Sequence, residues 1–221
     1  MSLTGFRINP APAVAPQALI DAFQSVVTPH ISDNMARSTG IVGLTRYNRT
    51  GKLVGTALTV KCRPGDNLMI YKALTQMQPG HVLVVDGGGE PHNALVGELI
   101  KLHAQQYGCV GFVIDGAIRD VAAFENFPCY ARSVVHRGPY KDGPGELNVP
   151  VCVGAQVVNP GDLVVGDEDG VVTFALADAE QLLALAAKHC AKEEAIQQEI
   201  ANGRREQQWI THILAAKNLA D

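Results

Sequence analysis

HVLVVDGGGEPHNALVGELIKLHAQQYGCVGFVIDGAIRD, residues 81–120, is the stretch whose reading decides the fold. It opens on HVLVVD (81–86) and returns to CVGFVID (109–115), two continuous apolar runs. Runs of this length and texture are what strands buried on both faces of a parallel sheet require. Between them NALVGELIKLHAQQY (93–107) repeats its apolar residues at helical spacing, and Gly108 closes it. Gly87-Gly88-Gly89 reads as a flexible turn after the first run. Strand, helix, strand is the signature of an α/β domain.

Upstream, LVGTALTVKCR (53–63) reads as another strand, and Gly65-Asp66-Asn67 as a turn with helix-capping potential. A helix is predicted from Leu68 to Met77, ended by Pro79-Gly80. QALIDAFQSVV (17–27) has helical periodicity, and His30 to Asp33 looks like the start of a further short helix. Downstream of 128 the texture changes to short strands and turns: CYARSVV, VPVCVGAQVV, GDLVVGD, GVVTF. These suggest a smaller antiparallel layer. From Asp178 to Asp221 turn residues almost vanish, which predicts one or two long helices.

Composition narrows the function classes. The chain has 221 residues, 47% of them apolar and 18% charged, with a formal net charge of −4. That length suits one domain of roughly 150–200 residues with an appendage. No lysine or arginine run gives the electrostatic footprint of a nucleic-acid binder, so none is expected as a partner. No apolar stretch nears the roughly 20 residues of a membrane span. Met1 to Pro16 has no basic head before an apolar run, so no signal peptide is read and the cytoplasm is the expected location. Cys62, Cys109, Cys129, Cys152 and Cys190 form no CxxC pair, and most sit in apolar runs as small hydrophobes. The seven histidines show no ligand spacing such as HExxH.

The chemistry points to three ionisable groups. Arg119 and Asp120 follow the carboxyl end of the second buried run, where open α/β sheets place their ligands. Glu98 follows Gly97 in the intervening segment, and helix, turn and strand can double back to bring it into the same crevice. An arginine fork matches a carboxylate or enolate oxygen, and a lone carboxylate with waters is the usual hold on Mg²⁺. A second carboxylate suits a proton-carrying water. If Gly97 to Ile100 open a helix, their free N–H groups offer an anion site. The glycine turn is not GxGxxG, and no GxxxxGK[ST] occurs, which leaves a nucleotide site without support.

GDNLMIYKAL (65–74), PGHVLVVDGGG (79–89), ALVGELI (94–100), GCVGFVIDGAIRD (108–120), FPCYARS (127–133), RGPYKDGPGELNVPV (137–151) and PGDLVVGDEDGVV (160–172) resemble the RraA-like family. Its members include 4-hydroxy-4-methyl-2-oxoglutarate aldolases, related oxaloacetate decarboxylases and a regulator of ribonuclease activity. The resemblance runs from about His30 to Leu176. It implies an α/β fold, a β/β/α swivelling (phosphohistidine-domain-like) sandwich over 1–176 with a C-terminal helical arm over 177–221. It also implies a homotrimer or homohexamer and a small 2-oxo acid substrate. By this likeness Asp120 anchors Mg²⁺ (or Mn²⁺), and Arg119 binds the pyruvyl part. The backbone of Gly97, Glu98, Leu99 and Ile100 receives the substrate carboxylate, and Lys141 meets a distal one. Glu98 stands where the best-known aldolases have Asp. AKEEAIQQEIANG (191–203) resembles the arm that supplies a glutamate to a neighbouring subunit, which makes Glu193 or Glu194 a candidate; a solvated helix face explains them equally. The same fold hosts a non-catalytic regulator that binds a ribonuclease, so fold alone does not choose between them. A methyltransferase label, also met in the family, finds no glycine-rich turn followed by an acidic ribose-binding residue.

Overall fold

The computed structural model describes residues 3–219. The chain divides into two compact units, Met1–Ala186 and Ala187–Asp221. Its elements in order are α1 (Gln17–Phe23), α2 (Thr28–Asp33), β1 (Thr45–Arg46), β2 (Leu53–Cys62), α3 (Leu68–Leu74), β3 (His81–Val96), α4 (Glu98–Gln106) and β4 (Gly111–Ile118). After a 3-10 turn at Val121–Phe124 come β5 (Cys129–Val134), β6 (Gly145–Leu147), β7 (Val151–Val153), β8 (Gln156–Val158), β9 (Leu163–Gly166) and β10 (Val171–Phe174). The helices α5 (Ala179–Ala201) and α6 (Gln208–Ala216) complete the chain.

One mixed sheet runs in the order β1-β5-β4-β3-β2-β9-β10, with β6 paired to the far end of β2. Its centre, β2-β3-β4-β5, is parallel. Because both faces of that centre are covered, its strands are mainly apolar and the alternation shows in what each side chain meets. Leu58, Leu83, Val85, Phe112 and Ile114 pack with Met69, Ile70, Ile100 and Ala104 of the helices α3 and α4. Their neighbours Ala57, Val82, Val84 and Val113 pack instead with Val151, Val153 and Val158 of a separate two-stranded sheet, β7-β8. Helices, large sheet and small sheet therefore form the expected β/β/α layers. Phe112, Phe124 and Phe127 cluster beneath the 3-10 turn, with ring centroids 5.0–6.4 Å apart.

Several boundaries differ from the sequence reading. Residues 93–96 belong to β3, not to the helix, which starts at Glu98. The glycine triplet is not a turn but part of the same long strand, which bulges against β4 between Asp86 and Val96. Gly87 is there because a Cβ would lie 2.4 Å from Leu95 Cδ1 and 2.8 Å from the Asp115 carbonyl. The late strands do not form one antiparallel layer: β5 joins the large sheet in parallel, β9 and β10 join it antiparallel, and only β7-β8 stand apart. Helix α1 stops at Phe23, and His30 to Asp33 end α2 rather than start it. The tail is one long helix and one short one, interrupted around Gly203 at φ +93°. No helix among the described residues is long and apolar enough to cross a membrane.

The segment before α1 is fastened through His81, which is fully buried at the start of β3. Its Nδ1 accepts the Gln78 N–H at 3.0 Å, so the ring proton sits on Nε2 and is donated to the Pro12 carbonyl at 3.1 Å. Burial lowers its pKa from the ordinary 6.5, against a smaller upward pull from the Pro12 carbonyl. The unfolded chain therefore takes up this proton first, and stability is full above about pH 6.5 and declines as pH falls toward the folded-state pKa. His81→Gln is expected to cost about 1–3 kcal/mol at pH 7.5 and to shrink the further loss seen between pH 7.5 and 5.5. Urea melts of both proteins at the two pH values measure this; equal acid losses would refute it.

Candidate active site

Strands β3 and β4 end side by side, Val96 paired with Ile118, and the next residues of each build the site. The Arg119 N–H donates to the Val96 carbonyl at 3.0 Å, holding the two chain exits together. Gly97 then continues extended, at φ −154°, as the N-cap of α4. The first N–H groups of a helix have no partner within it, and here one of them is taken: Glu98 N–H donates to Asp120 Oδ2 at 3.2 Å. Asp120 itself sits at φ +53°, ψ +42°, the left-handed region, which aspartate tolerates better than most residues. Arg119 Nε lies 3.6 Å from the same Oδ2. Both side chains stay accessible, at 42% and 47% exposure, so the pair is not a sealed salt bridge.

A cavity of about 40 Å³ opens between these exits and α3. Gly97, Leu99, Ile100, Arg119, Asp120 and Lys141 line it, together with Asn67 and Tyr71. That volume is several times the ~10–15 Å³ that one water needs, enough for a group the size of a carboxylate. Of the residues expected at the site, Glu98 is exposed and contributes its backbone N–H, while its side chain is not part of the cavity lining. Glu193 and Glu194 lie on α5, in the second unit.

Two residues were not legible as site residues. Asn67, only 2% exposed, donates from Nδ2 to the Leu95 carbonyl at 2.9 Å. Asn67 lines the cavity, and its buried Oδ1 has no hydrogen-bond partner among the described residues. Such an orphaned buried acceptor calls for a ligand or water. Asp66, also 2% exposed, accepts N–H bonds from Leu68 at 2.9 Å, Asp142 at 2.6 Å and Gly143 at 2.9 Å. Burial alone would raise its carboxyl, but these three N–H donors and the nearby Arg63 hold it below the usual carboxylate range. Asp66 thereby fastens residues 142 and 143, next to Lys141 of the cavity lining. The signal was the Gly65-Asp66-Asn67 turn between a strand and a helix; its partner loop, about 75 residues away, is what sequence alone does not reveal.

The donor set fits a small hydrated divalent cation. One oxygen of Asp120 has no protein partner among the described residues, the carboxylate is accessible, and Asn67, whose amide oxygen is unsatisfied, lines the same cavity. A single carboxylate with water completing the shell is the common Mg²⁺ arrangement. The cysteines take no part: burial pushes the Cys62 and Cys109 thiols up to about 12, and all five are free.

Fold and cavity define an α/β protein that gathers an arginine, an aspartate and a helix N-terminus at the carboxyl ends of parallel strands. The sequence profile of the Aldolase/RraA family matches residues 28–173, and the chain belongs to this RraA-like family. It is 37% identical over 186 residues to a Halalkalibacterium halodurans protein with the provisional name 4-hydroxy-4-methyl-2-oxoglutarate aldolase, covering 83% of this chain and 89% of that one. Among solved structures it is similar to Streptomyces coelicolor RraAS2, an unusual member of the RNase ES inhibitor RraA family, with a TM-score of 0.75. Identity there is 24%, over 84% of this chain and 99% of the other. The RNA-processing inhibitor RraA from Thermus thermophilis matches at a TM-score of 0.62 and 28% identity, over 68% of this chain and 93% of its own.

Proposed function

We propose that this chain is a divalent-metal-dependent carbon–carbon lyase that cleaves 4-hydroxy-2-oxo diacids to pyruvate and decarboxylates oxaloacetate. The observation that carries the proposal is the meeting of Arg119, Asp120 and the opening N–H groups of α4 around one small polar cavity. The aldolase name of the Halalkalibacterium halodurans relative supports the same reading.

Asp120 would hold Mg²⁺ or Mn²⁺, which when bound supplies Lewis-acid polarisation of the 2-oxo group. The substrate's C1 carboxylate accepts hydrogen bonds from the free N–H groups at the start of α4. The Arg119 guanidinium donates to the 2-oxo oxygen, where negative charge develops as the C3–C4 bond breaks. The bonding pair moves into a C2–C3 double bond, giving pyruvate enolate. The 4-hydroxyl proton passes to water at the rim beside Glu98, and C4 leaves as a carbonyl. C3 then takes a proton back from that water and pyruvate forms. With oxaloacetate the same bond breaks, CO₂ leaves, and the enolate takes its proton from solvent water at the same rim. Lys141 provides a cation for the distal carboxylate.

The test is pyruvate release from 4-hydroxy-4-methyl-2-oxoglutarate and oxaloacetate with Mg²⁺ and after EDTA. Turnover is expected with the metal and at least about 100-fold less without it; undiminished activity in EDTA would sink the proposal. The likeness to the Thermus thermophilis inhibitor favours a second reading, a protein-binding regulator of a ribonuclease. Capture of a ribonuclease at physiological salt, with no lyase activity toward either acid, would favour that reading instead.

A further inference from the structure

We infer that Lys101 is a positioning residue for this site: its ammonium ties α4 to the 3-10 turn that carries Asp120, and so sets the Asp120 carboxylate against the opening of the helix. The two limbs of the site come from different strands. Beyond Ile118 the chain leaves the sheet, and Asp120 takes up the left-handed conformation at φ +53°. The turn that follows opens on the Ala123 N–H bond to the Asp120 carbonyl at 2.9 Å and buries Phe124 against Phe112 and Phe127. These contacts hold the turn to itself and to the core beneath it, whereas its placement against α4 depends on contacts between the two.

Lys101 lies one helical turn after Gly97, whose carbonyl accepts its N–H at 3.1 Å. From there its half-buried side chain crosses to the second limb and donates from Nζ to the Ala123 carbonyl at 2.7 Å. A charged donor on a carbonyl makes a shorter and stronger bond than a neutral one. The Glu98 N–H to Asp120 Oδ2 contact holds the residue that opens the turn, and Lys101 holds Ala123 within it. Lys101 does not line the cavity and touches nothing that would react. Its part in the proposed reaction is to fix where Asp120 points, and that consequence rests on the reading given above.

The test uses Lys101→Met, which keeps an unbranched side chain close to the same length and removes its donor, and Lys101→Arg, which restores a donor. In the metal-free protein, hydrogen exchange in peptides covering 119–125 is expected to quicken at least about 10-fold in Lys101→Met, with the rest of the first unit unchanged. Lys101→Arg should stay near the parent. Binding of Mn²⁺, read from the electron paramagnetic resonance of the free ion, should weaken about 10-fold in Lys101→Met. With Mg²⁺ saturating, kcat for pyruvate release should fall about 10-fold while KM moves less than about two-fold, and Lys101→Arg should recover most of it. Unchanged exchange at 119–125 overturns the inference, as does full kcat in a Lys101→Met protein whose turn exchanges faster. If the parent protein releases no pyruvate from either acid, the lyase reading fails, and the exchange measurement still decides the role of Lys101.

Discussion

Asp120→Asn is expected to lower kcat/KM for pyruvate release by at least about 10³-fold, roughly 4 kcal/mol of transition-state stabilisation, while the melting temperature moves by only a few degrees. The choice of asparagine matters. Position 120 holds φ +53°, a conformation that asparagine adopts as readily as aspartate, so backbone strain does not change. The amide oxygen can still accept the Glu98 N–H that Oδ2 accepts at 3.2 Å. What disappears is the charge, and with it the proposed hold on a divalent cation and the counter-charge to Arg119, 3.6 Å away. Pyruvate release and calorimetric binding of Mg²⁺ measure the two consequences. An Asp120→Asn protein that retains more than a tenth of parental turnover would remove aspartate from the mechanism.

The second large effect is expected from the smallest substitution. Gly97→Ala should cut kcat/KM by about 100-fold, the scale on which an ångström of misplacement acts. The backbone at 97 is extended, φ −154°, and accepts any residue, so no conformational penalty enters. The added methyl has nowhere to go. Its carbon would stand 2.5 Å from Asp120 Oδ2 and 3.0 Å from Arg119 Cγ, so either the carboxylate or the arginine must move. Both are half-exposed and can move outward at small cost to the fold, which is why activity should fall far more than stability. Steady-state kinetics beside a thermal melt measure the difference; loss of folding in place of loss of turnover would contradict it.

How far the sequence reached can be judged from individual residues. The central strands were legible because both of their faces are buried, which leaves uninterrupted apolar runs such as HVLVVD and GFVI. Arg119 and Asp120 were legible because a strand end fixes where the next two residues lie. The start of α4 was misread because Asn93 to Val96 has apolar residues that suit either period, and burial of Ala94, Leu95 and Val96 in the sheet settled it. Leu95 fits only because Gly87 and Gly116 leave room for its side chain, a pairing across the bulge that no local pattern shows. Asn67, Asp66 and Lys101 escaped for the same reason: each acts on a segment that folding brings to it, at Leu95, at Asp142 and Gly143, and at Ala123.

The mismatch between β3 and β4 has a consequence of its own. Asp86 faces Asp115 and Val96 faces Ile118, so ten steps along one strand accompany three along its neighbour. The slack gathers in the stretch between, and the two strands come back into step immediately before Gly97 and Arg119. Length can therefore change inside that slack while the final rung, and everything hung from it, keeps its alignment.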